Sequence, residues 1–224
     1  MAPPFEAVIF DLDGTLADTL DDIADATNAA LRASGQPEHP RDRYKLFVGA
    51  GVENLARAAL PPDRMDLVAD VVRGFREHYS AHIVDRSRPF PEIPAALDAL
   101  VARGIRMAVL SNKVDALTKR IVGVCFSKWP IDPVFGERAG VPKKPDPAAA
   151  LEIARHWGRD PSRIAFVGDT GIDMRTSVNA GMRGIGVLWG FRPREELEAE
   201  GAWRIVATPA ELVEVLTGAT VGRH

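Results

Sequence analysis

Four short apolar runs, widely separated along the chain, most constrain how it can fold. They lie at residues 7–10, 107–110, 164–167 and 184–188. Each is too short for a helix and largely apolar, the pattern of a strand buried on both faces. Segments of helical pattern separate them. Residues 95–103 stop at Gly104 and residues 174–180 stop at Gly181, and glycine just past a helix can turn left-handed without steric cost. Residues 146–157 open on Asp146-Pro147 and stop before Gly158, an N-cap aspartate followed by proline at the first helical position. Thr208-Pro209 opens a last helix over 210–216. Strand and helix alternating in this way predict an α/β fold, a parallel sheet covered on both faces.

Residues 17–85 break the alternation. Leu20, Ile23, Ala24, Thr27, Ala30 and Leu31 recur at helical spacing, and residues 52–60 and 66–83 also read as helices. Pro61-Pro62 separates the last two, and Pro89, Pro91 and Pro94 mark the return to the alternating pattern. The expected organisation is a Rossmann-like core from residues 1–16 and 86–224, with an all-helical domain inserted over 17–85.

The chain has 224 residues, 46% of them hydrophobic and 26% charged, enough for a large core. Its formal net charge of −3 gives no basic excess for nucleic acid or an anionic membrane. The single cysteine, Cys125, excludes an internal disulfide. No apolar stretch approaches the roughly 18 residues of a membrane span, and the first residues lack the basic region of a signal peptide. A cytoplasmic protein is expected, with no nucleic-acid or membrane partner.

The first run passes directly into Asp11-Leu12-Asp13-Gly14-Thr15-Leu16. Two carboxylates thus stand at the C-terminal end of a strand, where open α/β sheets bind ligands. Carboxylates that close repel unless a cation or a shared proton neutralises them, and a divalent metal on oxygen ligands is the economical solution. The second run ends in Ser111-Asn112-Lys113, and the third in Gly168-Asp169-Thr170-Gly171-Ile172-Asp173. Lys143-Lys144-Pro145-Asp146-Pro147 lies between them. A parallel sheet would gather these segments at one edge.

The set resembles the haloacid dehalogenase superfamily of phosphohydrolases over nearly the whole chain. Asp11-Leu12-Asp13-Gly14-Thr15 is similar to its first motif, Ser111 to the second, Lys144 to the third, and Gly168-Asp169 with Asp173 to the fourth. The Lys-Pro-x-Pro pattern selects Lys144 over Lys143. The inserted segment resembles the helical cap of one subclass. Asp18-Thr19-Leu20, Phe47-Val48-Gly49-Ala50-Gly51, Ser111-Asn112-Lys113 and Lys144-Pro145-Asp146-Pro147 are similar to its phosphoglycolate phosphatases. The resemblance implies that Asp11 is the nucleophile that forms an aspartyl-phosphate, and that Asp13 is the general acid and then the base. It implies Mg²⁺ held by Asp11, Asp169 and the backbone carbonyl of Asp13, with Asp173 direct or water-mediated. It gives Ser111, Asn112 and Lys144 to the phosphoryl oxygens. The dehalogenases of the superfamily lack the second aspartate, so Asp13 points to phosphate esters.

The implied substrate is a small phosphorylated metabolite, first 2-phosphoglycolate, acted on by a monomer or homodimer. Pyrophosphate, nucleoside monophosphates and a sugar phosphomutase activity such as that of β-phosphoglucomutase stay open. So do a phosphonatase, whose Schiff-base lysine could only be Lys45, and a non-enzymatic phosphate-binding module. A carboxylate on the substrate would need a cation from the cap, where Arg43 and Lys45 are candidates. The turn at residues 49–51 reads equally as a loop before a helix or as a cap loop that meets the crevice. His78 and His82 stand one helical turn apart but have no evident third ligand. Cys125 reads as a small packed residue, and residues 192–196 as a helix start around Pro193.

Overall fold

The structure is a computed structural model and describes residues 4–218. The ends of the expected core, residues 1–3 and 219–224, lie outside the described residues. The chain opens with β1 (Ala7–Phe10) and, after a turn, β2 (Ala17–Asp18). Four α-helices follow, α1 (Leu20–Ala33), α2 (Tyr44–Phe47), α3 (Val52–Ala59) and α4 (Val68–His82). β3 (Arg88–Pro89) returns antiparallel to β2. Alternation then resumes through α5 (Ile93–Ala102), β4 (Arg106–Val114), α6 (Asp115–Cys125) and β5 (Ile131–Glu137). It continues with α7 (Ala148–Trp157), β6 (Ile164–Gly168), α8 (Gly171–Asn179) and β7 (Arg183–Val187). It ends with α9 (Arg194–Ala199), β8 (Arg204–Val206) and α10 (Pro209–Thr217).

Six strands form one parallel sheet in the order β5-β4-β1-β6-β7-β8. This is the α/β core expected from the four runs. From β1 the chain builds outward to β4 and β5, then crosses back to β6, β7 and β8. The order therefore reverses about β1, and such a switch point opens a crevice beyond the strands' C-terminal ends. Successive side chains of a strand point to opposite faces. Val8, Phe10, Met107, Val109, Ala165 and Val167 accordingly enter one apolar cluster, with Leu97 and Leu100 of α5 and Leu212 and Leu216 of α10. Ala7, Ile9, Ala108, Leu110, Ile164 and Phe166 enter another, with Ile153 and Trp157 of α7. Burying each large aliphatic or phenyl side chain contributes about 1.5–3 kcal/mol. Runs that are apolar at every position are what a sheet covered twice requires.

Several elements differ from the sequence reading for identifiable reasons. β5 was not anticipated, because Pro133 and Gly136 interrupt its pattern. At the edge of a sheet a proline forfeits little. β8 is a three-residue edge strand, too short to show periodicity. β4 runs on through Ser111-Asn112-Lys113 rather than ending at Leu110. α8 begins at Gly171 because Thr170 and Asp173 form a reciprocal capping box. Asp146 does accept an amide at the start of α7, from Ala148 at 2.8 Å, with Pro147 in the cap position. Ala17 and Asp18, read from the sequence as part of the helical segment, form a short ribbon with residues 88–89.

Candidate active site

Strand register brings the separated motifs together. Phe10 is aligned with Val109 of β4 on one side and Val167 of β6 on the other. Asp11 therefore leaves the sheet beside the ends that carry Ser111 and Asp169. Its amide still donates to the Val167 carbonyl at 2.9 Å. The chain then turns on Leu12, whose carbonyl accepts the amides of Leu16 and Ala17 at 3.1 and 3.0 Å. Gly14 has φ +84°, and a Cβ there would lie 2.3 Å from Asp169 Oδ2. Only glycine satisfies both constraints.

Asp11, Asp169 and Asp173 are all buried and can place one carboxylate oxygen each within 4.8 Å of the others. Asp169 accepts the Thr15 hydroxyl at 3.2 Å and the Phe191 amide at 2.8 Å. The two oxygens of Asp173 have different partners. Oδ2 accepts the Thr170 amide and hydroxyl at 3.1 and 2.7 Å, capping α8. Oδ1 accepts from Lys144 Nζ at 2.6 Å. Lys144, itself only 7% exposed, also donates to Asp11 Oδ1 at 2.8 Å. The backbone makes room for this packing at Gly168, where a Cβ would meet Asp173 Cβ at 2.3 Å.

One ammonium bonded to two of three clustered buried carboxylates leaves excess negative charge. Burial pushes the Asp11 carboxyl up to about 7; Lys144 opposes this, while the charges of Asp173 and Asp13 add to it. Burial, then Asp11 and Asp173, drive Asp169 well above the usual carboxylate range. Burial works against the Lys144 ammonium, but Asp11 and Asp173 overcome it and raise its proton affinity. An all-oxygen donor set with unneutralised charge fits a hard divalent cation.

The Asp13 side chain stands outside this cluster. Its Oδ1 accepts the Thr19 hydroxyl at 2.6 Å and Lys113 Nζ at 2.8 Å. Lys113 also donates to the Tyr79 hydroxyl of α4 at 2.9 Å, so one lysine ties the core to the helical segment. Burial raises the Tyr79 phenol to about 12. Burial also opposes the Lys113 charge, and Asp13 leads the groups that retain it. Nothing in the sequence singled out Lys113 beyond its place beside Ser111 and Asn112. Its spacing of two from Ser111 on a strand was the available signal.

Ser111 is buried and its Oγ accepts the Lys113 amide at 3.2 Å. Asn112 is committed to backbone: Oδ1 accepts the Lys144 amide at 2.9 Å, and Nδ2 donates to the carbonyls of Lys144 and Gly49 at 3.0 and 3.1 Å. It therefore works as a strut between Lys144 and the turn at residues 49–51. That turn reaches the crevice, and Gly49 and Gly51 line it. Lys143 runs beside Gly51 and pairs with Glu137 at 3.1 Å rather than with the buried carboxylates.

The loop after β7 is a part of the site that sequence reasoning missed. The Trp189 indole donates to the Thr15 carbonyl at 2.9 Å. Arg192 donates to the carbonyls of Lys45, Leu46 and Val48. This stretch had read only as the approach to α9. Between floor and helices lies a cleft with about 620 Å³ of empty space, its open mouth included. The helical cations suggested by the sequence are engaged elsewhere: Lys45 pairs with Asp42 at 3.2 Å, and Arg43 sits over the Phe47 ring. Arg76 of α4 lines the cleft instead. His82 pairs with Asp85, and no third metal ligand joins His78 and His82 among the described residues. Cys125 is half-buried against the Ser87 carbonyl. Among the described residues no helix is long and apolar enough to cross a membrane.

A family model described as haloacid dehalogenase-like hydrolase matches residues 8–187. The chain belongs to that family. It is 32% identical over 209 residues to the phosphoglycolate phosphatase of Aquifex aeolicus (strain VF5), covering 93% of this chain and 95% of the relative. It is 33% identical over 218 residues to the N-acetylmuramic acid 6-phosphate phosphatase of Pseudomonas aeruginosa, covering 94% of each. A crystal structure from Lactobacillus delbrueckii subsp. bulgaricus, assigned as a phosphoglycolate phosphatase, superposes with a TM-score of 0.90. It is 29% identical and covers 98% of this chain and 100% of its own.

Proposed function

We propose that the chain hydrolyses a small phosphomonoester, with Mg²⁺, through a phosphoryl group carried on Asp11. It is a phosphoric monoester hydrolase. The observation that carries this reading is the convergence of Asp11, Asp169, Asp173 and Lys144 at the switch point, with Asp11 lining the cleft. Asp11 attacks phosphorus, and the bond to the substrate's alkoxide oxygen breaks. Asp13 gives that oxygen its proton. Asp13 then takes a proton from a water that attacks the same phosphorus, and the bond to Asp11 breaks, releasing inorganic phosphate.

Lys144 and the Ser111 hydroxyl hold the phosphoryl oxygens as charge moves through the transition state. Asn112 positions Lys144 through its backbone. Thr19 and Lys113 fix the rotamer of Asp13. Asp11, Asp169 and the Asp13 carbonyl would hold Mg²⁺, with Asp173 direct or through water. When bound, the ion supplies positive charge against the phosphoryl oxygens. The helical segment over 17–85 acts as a cap that excludes water from the charged floor.

The leading substrate is 2-phosphoglycolate, supported by the names of relatives such as that of Aquifex aeolicus. A sugar phosphate bearing a carboxylate is the second reading, supported by the Pseudomonas relative of similar identity and coverage. Phosphate release from a panel of phosphorylated metabolites with Mg²⁺ decides between them. Release from 2-phosphoglycolate well above the panel supports the first reading. Release chiefly from N-acetylmuramic acid 6-phosphate supports the second, and release from none overturns both.

A further inference from the structure

The cleft has two unlike sides. Its floor carries Asp11, Asp13, Ser111 and Lys113. Its helical side is hydrocarbon, with Ile23 from α1, Val52 and Leu55 from α3, and Phe75 from α4. Tyr79 adds a ring whose hydroxyl is already bonded to Lys113. Among the described residues the one charged side chain lining that side is Arg76.

Among the described residues no carboxylate pairs with Arg76. Its neighbours three and four positions away on α4 are Val72, Arg73, Tyr79 and Ser80, none of them acidic. By contrast Arg32, Arg41, Arg57, Arg64 and Arg73 in the same helical segment each have a carboxylate within 4 Å, and Arg43 sits over the Phe47 ring. The other cation lining the cleft, Lys113, is spent on Asp13. A guanidinium left unpaired at the edge of an apolar pocket is suited to a planar carboxylate, which it can bind with two parallel hydrogen bonds.

We propose that Arg76 binds a carboxylate at the end of the substrate remote from the phosphate, and that the link between the two carries few hydroxyls. The second clause follows from the wall. A substrate hydroxyl pressed against Ile23, Leu55 and Phe75 finds no partner, and burying a polar group without one is penalised. The substrate class is thus a phosphorylated carboxylic acid with a short, hydrocarbon-like body. Hexose phosphates, which lack the carboxylate and add hydroxyls, fit neither condition. The assignment rests on the phosphomonoesterase reading and adds to it the residue that chooses the substrate.

The test compares two esters of matched length, 2-phosphoglycolate and ethyl phosphate, which differ in the carboxylate. The readout is the ratio of their kcat/KM values with Mg²⁺, with glucose 6-phosphate as a third substrate. The wild type favours 2-phosphoglycolate over both. Arg76→Ala lowers the ratio at least about tenfold, mainly through KM for the carboxylate ester, the size expected for one charged hydrogen-bonding partner. Arg76→Lys restores part of it. Arg73→Ala, one turn away and paired with Asp70, leaves the ratio within about twofold. A ratio unmoved by Arg76→Ala, or glucose 6-phosphate outranking 2-phosphoglycolate in the wild type, overturns the assignment while leaving the phosphatase reading standing. A wild type that hydrolyses none of the three overturns the assignment, and one that also releases no phosphate from N-acetylmuramic acid 6-phosphate overturns the phosphatase reading with it.

Discussion

The sheet edge and the helical wall above it face the same cleft and are built on opposite rules. At the edge, Asp11, Asp13, Asp169, Asp173, Lys113 and Lys144 are each held by at least one named partner at 3.2 Å or less. On the wall, apolar side chains line the cleft together with one exposed arginine that has no ion pair among the described residues. A preorganised floor suits a reaction whose charge always develops in the same place. A sparse wall leaves choice to a single contact, so selectivity can change without disturbing the chemistry.

The largest expected effect separates these two regions outright. Asp11→Asn removes the oxygen proposed to attack and should lower phosphate release by at least about 10³-fold, while circular dichroism shows an unchanged fold. Retained turnover would mean that the floor works in some other way.

Removing divalent metal with a chelator should abolish turnover reversibly, with Mg²⁺ restoring it, and should expose the strain in the floor. In the fold the Asp11 carboxyl is raised from 3.8 to about 7, chiefly by burial. The folded state then binds its proton more tightly than the unfolded state does. That stability is present at low pH and is lost as pH rises between about 4 and 7. Chelated protein should therefore melt at a lower temperature at pH 8 than at pH 5, and Asp11→Asn should flatten the trend. A melting temperature that climbs over that interval contradicts the charge distribution described for the floor.

Tyr79→Phe cuts the hydrogen bond that Lys113 makes to the helical wall. It should cost about 1 kcal/mol in stability by denaturant titration, the usual net value of a buried hydrogen bond, and lower kcat/KM several-fold. An unchanged kcat/KM would show that floor and wall are coupled elsewhere, for instance through Arg192.

The smallest effect lies away from both regions. Asp115 accepts the Gly136 amide at 2.9 Å and joins the start of α6 to edge strand β5. Burial works against its charge, but the Gly136 amide and Lys119 hold its carboxyl below the usual range. Its contribution is present above that range and is lost on acidification. Asp115→Ala should cost about 0.5–1.5 kcal/mol at neutral pH and leave turnover unaffected.

What could be read from the sequence follows the same division. The strands β1, β6 and β7 and the residues gathered at their ends were legible, because a doubly covered strand must be apolar throughout and its polar residues must follow at the end. The edge strand β5 was hidden by Pro133 and Gly136, both tolerated only because it is an edge. Lys113, Arg76 and the loop through Trp189 and Arg192 could not be assigned. Arg76 has no carboxylate partner among the described residues, and Lys113, Trp189 and Arg192 acquire theirs across more than thirty residues of chain, as from Asp13 to Lys113 or from Val48 to Arg192. Local spacing carries no record of such pairings. Arg43 and Lys45 were reasonable candidates for the substrate's carboxylate until their own neighbours, Phe47 and Asp42, were seen to hold them.

The central claim is that Asp11 carries the phosphoryl group and Asp13 moves the proton. Rapid mixing of Asp13→Asn with p-nitrophenyl phosphate tests it most directly, since nitrophenolate leaves without an acid while the second step still needs a base. The account predicts a burst of about one nitrophenolate per active site, followed by slow release, with a phosphoryl group recovered on the peptide that contains Asp11 after acid quench. Steady turnover without a burst, or a phosphoryl group recovered on any other residue, would contradict it.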